Sequence, residues 1–84
     1  MFCTYVLKSE QSQRRYVGSC ADLAKRVARH NAGMVNATKS GVPWLLIHAE
    51  TFSTRAEAVR QELHYKTGRG RDELKRMETT AQIQ

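Results

Sequence analysis

Acidic residues are scarce in this chain. Eight Asp and Glu stand against fourteen Lys and Arg in 84 residues, a formal net charge of +6. Long apolar runs are missing altogether. Nothing approaches the roughly 20 consecutive apolar residues that span a bilayer, which excludes a membrane-crossing helix and argues against a membrane partner. Met1 to Lys8 is short and leads into charge, so no secretory signal is expected and the protein is read as cytoplasmic. Cysteine is limited to Cys3 and Cys20. Neither falls in a Cys-x-x-Cys or His-x-x-x-His pattern, which speaks against zinc. Both are read as reduced thiols that fill the core. Repeats and low-complexity tracts are absent. A chain of this length buries only about 60% of its unfolded surface. A functional site must therefore be shallow, suited to a large substrate lying across a face.

What is present is positive charge, and it predicts attraction to polyanions such as DNA, RNA or an acidic membrane surface. The plainer alternative is a basic domain whose charge serves solubility.

The patterning predicts six elements in one domain over residues 1–77. Phe2 to Leu7 is rich in β-formers and reads as a strand. Lys8 to Gln13 is polar and turn-like, and Arg15 to Gly18 resumes the strand character, so the pair reads as a hairpin. Asp22 is placed to cap a helix carrying Leu23, Val27 and His30 at helical spacing, with Asn31-Ala32-Gly33 as its stop. Met34 to Gly41 reads as an exposed loop. Pro43 to Glu50 is the most apolar stretch and reads as a strand buried on one or both faces, continued by Thr51-Phe52. Thr54 and Glu57 have the spacing of a capping box. The helix behind them is expected to turn Ala56, Ala58, Leu63 and Tyr65 inward. Gly68-Arg69-Gly70-Arg71 reads as a break, Asp72 to Met77 as a short last helix, and 78–84 as a flexible tail. The order β-β-α-β-α-α gives a small α/β (α+β) domain, with a three-stranded, mainly antiparallel sheet flanked by helices.

A series of residues runs through these elements. Thr4-Tyr5-Val6 is followed by Tyr16-Val17-Gly18. Next come Asp22 to Asn31 with Arg26 and His30, then Thr38-Lys39, Pro43-Trp44, and Arg60-Gln61-Glu62 leading to Lys66. In order and spacing the set resembles the GIY-YIG nuclease superfamily, and is most similar to its small, stand-alone bacterial members. The resemblance covers about residues 2–77. Thr4 and Val6 stand where the name-giving motif has Gly and Ile, and Val17 replaces the Ile of the second. Both tyrosines are kept.

The resemblance implies a divalent-metal-dependent endonuclease acting on DNA phosphodiesters, branched or single-stranded, in repair or recombination. Tyr5 and Tyr16 match the motif tyrosines, Arg26 the arginine on the scissile phosphate, His30 a helix histidine near the site, and Glu62 the acid that holds the metal. Lys39 and Lys66 match recurring basic positions; Lys25, Arg29, Arg69 and Arg71 are further candidates for phosphate contact. The chemistry is consistent. An arginine fork matches phosphate oxygens as lysine cannot. Glu62 has no acid close to it in sequence except Glu57, which the capping box absorbs. A lone carboxylate suits one Mg²⁺ or Mn²⁺ that keeps most of its waters. Tyr16 is favoured as the residue that polarises water, with Tyr5 positioning water or phosphate; sequence leaves the order of the two open.

Each residue also has an ordinary reading. A strand tyrosine is usually a packing residue, and a helix arginine or glutamate is usually solvated. His30 also fits a helix C-terminal cation, and His64 is ambiguous. Trp44 suits the core better than a substrate platform. At the level of the whole chain, a nucleic-acid-binding module with weak or partner-dependent cleavage is the main alternative, and a protein-interaction domain the lesser one. Monomer and homodimer are both compatible with the sequence.

Overall fold

The computed structural model describes the backbone of residues 1–83 and the side chains of residues 1–78. Strands β1 (Phe2–Ser9) and β2 (Arg15–Cys20) form the expected hairpin. Ser9 organises its turn: the Oγ accepts from the Gln11 and Ser12 amides and donates to the Gly41 carbonyl at 2.6 Å. Strand β3 (Trp44–Phe52) joins the other side of β1, so the sheet order is β2-β1-β3 with every pair antiparallel. Helix α1 (Leu23–Asn31) lies between β2 and β3 in sequence, and α2 (Arg55–Tyr65) and α3 (Gly68–Ile83) follow.

Strand alternation sorts the core into two layers. On one face Cys3, Tyr5, Leu7, Cys20 and Trp44 cluster, with Leu23 and Val27 of α1 packed against them. On the other, Val6 and Val17 meet Tyr65 of α2 and Leu74 of α3. Thr4, on this second face, donates to the Ala58 carbonyl of α2 at 2.6 Å. The two thiols are free and face each other across the hairpin, Sγ to Sγ 3.8 Å. Burial, with the neighbouring Cys3, pushes the Cys20 thiol up to about 11, which keeps it protonated and inert.

Local signals explain the helix ends. Asp22 accepts from the Lys25 amide, and Gly33 takes the left-handed conformation (φ 74°) after α1. Thr54 and Glu57 form the full capping box of α2.

Four expectations are corrected. The loop Met34 to Gly41 is not wholly exposed: Thr38 is completely buried, and a 3-10 turn spans Lys39–Gly41. Strand β3 is an edge strand whose Leu45, Leu46 and Ile47 are 52%, 44% and 36% exposed. The register to β1 shifts between Val6 and Leu7, where Ile47 is extra, and this bulge breaks the alternation that would have buried the run. Within α2, Ala58 and Tyr65 point inward while Ala56 and Leu63 are exposed. The last helix starts at Gly68 rather than Asp72, because Gly70 is an approach point and not a breaker. A Cβ there would lie 2.6 Å from the Tyr65 Cα, against the backbone end of α2.

Glu78, read from sequence as the first tail residue, lies within α3. It accepts from Lys8 at 3.0 Å and Arg15 at 2.8 Å, a register pair on β1 and β2. Burial works against its charge, but these two cations win and hold its carboxyl below the usual range. Beyond Glu78, the side chains of the expected tail lie outside the described residues. Among those described, no helix is long and apolar enough to cross a membrane.

Candidate active site

Gly18 is the hinge of the site. It sits on β2, opposite Tyr5 in the hairpin register. A Cβ at Gly18 would lie 2.5 Å from the Tyr5 hydroxyl, so only glycine lets that hydroxyl lie over the strand. β2, like β3, is an edge strand of the sheet.

The Tyr5 hydroxyl makes a 2.9 Å hydrogen bond to His30 Nε2, and His30 Nδ1 a 2.7 Å bond to Thr38 Oγ1. Thr38 donates its own proton to the Val35 carbonyl. The assignment consistent with that 3.4 Å contact has Thr38 accepting from Nδ1–H and Nε2 accepting from Tyr5. His30 is therefore neutral, and its surroundings agree. Burial lowers its proton affinity and the Arg26 charge lowers it further. Tyr5 is likewise held neutral. Burial pushes its hydroxyl well above the ordinary value, Tyr16 adds to this, and Arg26 opposes it.

Tyr16 differs from Tyr5 in exposure. It is half-buried, its ring centroid 4.9 Å from His30 and 6.4 Å from Tyr5. Trp44 backs this aromatic group at 6.5 Å and donates its indole N–H to the Thr38 carbonyl at 2.7 Å. Asn31 ties the end of α1 to β3 with two bonds, accepting from the Trp44 amide and donating to its carbonyl. Trp44 is thus a core residue that fixes the loop carrying Thr38.

Glu62 approaches from the other layer. Ser19 of β2 shares a face with Thr4, its register partner, and donates to Glu62 Oε1 at 2.7 Å. Lys66, one turn further along α2, holds Oε2 at 2.8 Å. The Glu62 charge is nonetheless felt at Tyr5, where it adds to the upward push. The site straddles the β2 edge, with Tyr5, Tyr16, His30 and Arg26 on the α1 side and Glu62 on the α2 side.

Among the described residues no group of three or more His, Cys, Asp or Glu is arranged to hold a metal. The donor set around Glu62 is one carboxylate and one hydroxyl, both hard oxygens. Its Lys66 partner is half exposed and free to swing away. This fits a single, largely hydrated Mg²⁺ or Mn²⁺ and does not fit zinc.

The structure thus brings together Tyr5, Tyr16, Arg26, His30 and Glu62. Lys66 joins them as the ion-pair partner of Glu62. Lys25 and Arg29 are exposed on α1, Lys39 is exposed in the 3-10 turn beside Thr38, and Arg69 and Arg71 are exposed on the first turn of α3. The cation whose field reaches both Tyr5 and His30 is Arg26. Glu57 stays in its capping box. Sequence reasoning placed Thr38 in the motif series and Asn31 in the stop of α1 but gave neither them nor Ser19 a part in the site, and each holds a member of the site or its supporting loop. Their contacts span 8, 13 and 43 residues, beyond any local pattern.

A second polar cluster lies under β3. Glu50 accepts from Tyr65, from His48 at 2.6 Å and from Gln61 at 3.1 Å. Burial opposes its charge, but these donors keep its carboxyl below the usual range, and burial with Glu50 pushes the Tyr65 hydroxyl up to about 12. His64, which sequence left ambiguous, pairs with Glu73 of α3 at 2.9 Å. These contacts fasten α2 to its neighbours.

Comparison with known proteins shows the family. No solved structure matches the chain. A UPF0213 protein of Staphylococcus haemolyticus is 35% identical over 75 residues, covering 88% of this chain and 90% of its own length. A UPF0213 protein of Listeria welshimeri is 41% identical over 63 residues, 74% of this chain and 69% of its own. The UPF0213 protein YazA of Bacillus subtilis is 43% identical over 63 residues, 74% and 63% respectively. The family model of the GIY-YIG catalytic domain matches residues 1–76. With that match over nearly its whole length, the chain belongs to the GIY-YIG family, whose membership implies a nuclease-type activity.

Proposed function

We propose that this protein is an endonuclease that hydrolyses DNA phosphodiester bonds with one divalent cation, Mg²⁺ or Mn²⁺, held by Glu62. The observation that carries the reading is the convergence of Tyr5, Tyr16, Arg26, His30 and Glu62 on one sheet edge from four elements, β1, β2, α1 and α2. Arg26 forks onto the scissile phosphate and neutralises charge there. Tyr16 is the less buried of the two tyrosines, and its hydroxyl orients and polarises the attacking water. Tyr5 serves as a neutral donor, locked in place by His30 and Thr38, and fixes the position of the phosphate. When bound, the cation supplies Lewis-acid stabilisation of the phosphate and leaving oxygen. Lys66, which pairs with Glu62 here, would have to give up that carboxylate to a bound cation and would then be available to a neighbouring phosphate. Lys25, Arg29, Lys39, Arg69 and Arg71 contribute to phosphate attraction around the site. We read the protein as cytoplasmic, with a role in repair or recombination.

The test is cleavage of plasmid, branched and single-stranded DNA with Mg²⁺ or Mn²⁺. Wild type is expected to cut, while Glu62→Ala, Arg26→Ala and Tyr16→Phe are each strongly impaired. Equal cutting by wild type and Glu62→Ala would refute the assignment.

One observation favours a second reading. Both oxygens of Glu62 are engaged, one by Ser19 and one by Lys66. A nucleic-acid-binding module in which that pair persists would bind DNA in a salt-sensitive way, equally well as Glu62→Ala, and cut nothing without a partner.

A further inference from the structure

The outer side of β3 has no strand partner, and it lies at the opposite end of the sheet from the candidate site. Edge strands are ordinarily blunted by lysine, by shortness or by a covering segment, because their unpaired N–H and C=O groups recruit further strands. β3 runs for nine residues with no lysine or arginine. Leu45, Leu46 and Ile47 stand exposed along it, and the bulge at Ile47 leaves that run bare. Charge is missing here too. In a chain of which 26% of residues are charged, the ten residues from Ser40 to Ala49 carry no formal charge, histidine counted as neutral. The charges nearest the run are satisfied within the chain: Glu50 by Tyr65, His48 and Gln61, and Lys8 by Glu78. Leu45 and Ile47 line one hollow of about 270 Å³, with Lys8, Ser9, Glu10 and Gln13, so the two share a face.

We infer that this edge pairs antiparallel with the same edge of a second copy, about a two-fold axis at Leu46, giving a six-stranded sheet. The composition of the strand selects the occupant. Two copies that each carry a formal net charge of +6 meet at least cost where neither is charged. The positions of the apolar residues select the register. Centred on Leu46, the pairing sets Leu46 against Leu46 of the second copy and Leu45 against its Ile47, once on each side of the axis. All three exposed apolar residues of each copy are then covered. The Leu45 and Ile47 of one copy stand beside the hollow of the other. Glu50 falls opposite Val42, so no charge meets a charge. A pairing centred on Leu45 would set Ile47 against Pro43, which has no N–H to give. One centred on Ile47 would set Leu46 against His48. A contact confined to one strand edge is smaller than the roughly 800 Å² per partner of a standard interface, so the dimer is weak, with a Kd on the order of 10 µM. Both β2 edges stay free, about five strand spacings or ~24 Å apart, and each copy keeps its own complete candidate site.

Sedimentation velocity from about 1 to 300 µM reads the equilibrium directly. Wild type is expected to pass from monomer to dimer and to stop there, because a two-fold pairing closes. Leu46→Lys sets like charges face to face on the axis and is expected to raise Kd about tenfold or more. Leu63→Lys, at a 59% exposed apolar position on α2, makes the same change away from the edge and is expected to alter Kd less than about twofold. Leu45→Glu and Ile47→Lys are each expected to weaken the dimer. Combined in one chain they put an acid opposite a base on both sides of the axis, and are expected to dimerise several-fold more tightly than either alone. All four positions are exposed, and circular dichroism confirms that each variant folds. A monomer across the whole range overturns the inference, as does equal weakening by Leu46→Lys and Leu63→Lys. A combined variant no tighter than the single ones overturns the register, and growth beyond the dimer overturns the two-fold pairing. No cutting enters these measurements, so the nuclease reading stands or falls separately.

Discussion

Gly18→Ala tests the geometry of the site with a single methyl group. The added Cβ lies 2.5 Å from the Tyr5 hydroxyl, 2.7 Å from Cζ and 3.1 Å from Cε1. Ordinary contact begins at 3.4 Å, so the hydroxyl must retreat by about 0.9 Å. It has nowhere to go without lengthening its 2.9 Å bond to His30, and Tyr5 is 1% exposed. Overpacking of this kind costs about 1–3 kcal/mol. Leaving the buried His30 Nε2 without a donor adds about 1–3 kcal/mol. The alanine recovers about 0.4–1 kcal/mol through the unfolded chain, because Gly18 does not have a positive φ. The expected net loss is about 2–4 kcal/mol by urea denaturation. A displacement near 1 Å at a catalytic group lowers turnover by about 100-fold. In a Tyr5→Phe background the hydroxyl clash disappears while the Cζ contact remains, so a double-mutant cycle is expected to show about 1 kcal/mol of coupling. The His30 ring nitrogens report the bond directly by NMR. Wild-type stability together with unchanged His30 ring shifts in Gly18→Ala would refute the argument.

Three further outcomes are expected. Gly70→Ala drives a methyl into the end of α2 and destabilises by about 3 kcal/mol, whereas Gly68→Ala, which meets nothing within 4 Å, is neutral or stabilising; paired urea titrations compare them. Because burial and Arg26 depress the proton affinity of folded His30, the unfolded chain takes up its proton first. Stability from this group is therefore full above about pH 6.5 and falls as pH drops below it, and the difference in pH slope between wild type and His30→Gln isolates the effect. Thr54→Ala removes the α2 capping box and costs about 1 kcal/mol in thermal unfolding, with cleavage below the melting transition unchanged.

The two helix caps and the hairpin were legible because their signals are local: a side chain and an amide three residues apart, or two β-rich runs across a polar turn. The site residues were legible only as an ordered series, since nothing in a lone Tyr5 or Glu62 separates it from packing or solvation. What escaped depends on distance in sequence. Gly68 and Gly70 look alike as punctuation, yet one faces open space and the other a helix backbone. Leu45-Leu46-Ile47 has the composition of a buried strand, but burial is decided by position in the sheet and by the bulge at Ile47. Thr38 reads as a loop residue and becomes wholly buried because α1 and Trp44 close over it.

The division of the site between two layers also governs when it can exist. Tyr5 and Tyr16 leave the ribosome early, but the hydroxyl of Ser19 waits 43 residues for Glu62, and Thr4 waits 54 for the helix that carries it. The clamp on Lys8 closes later still, across 70 residues, when Glu78 arrives. A chain that stops short of Glu62 thus carries Tyr5 and Tyr16 and no assembled site.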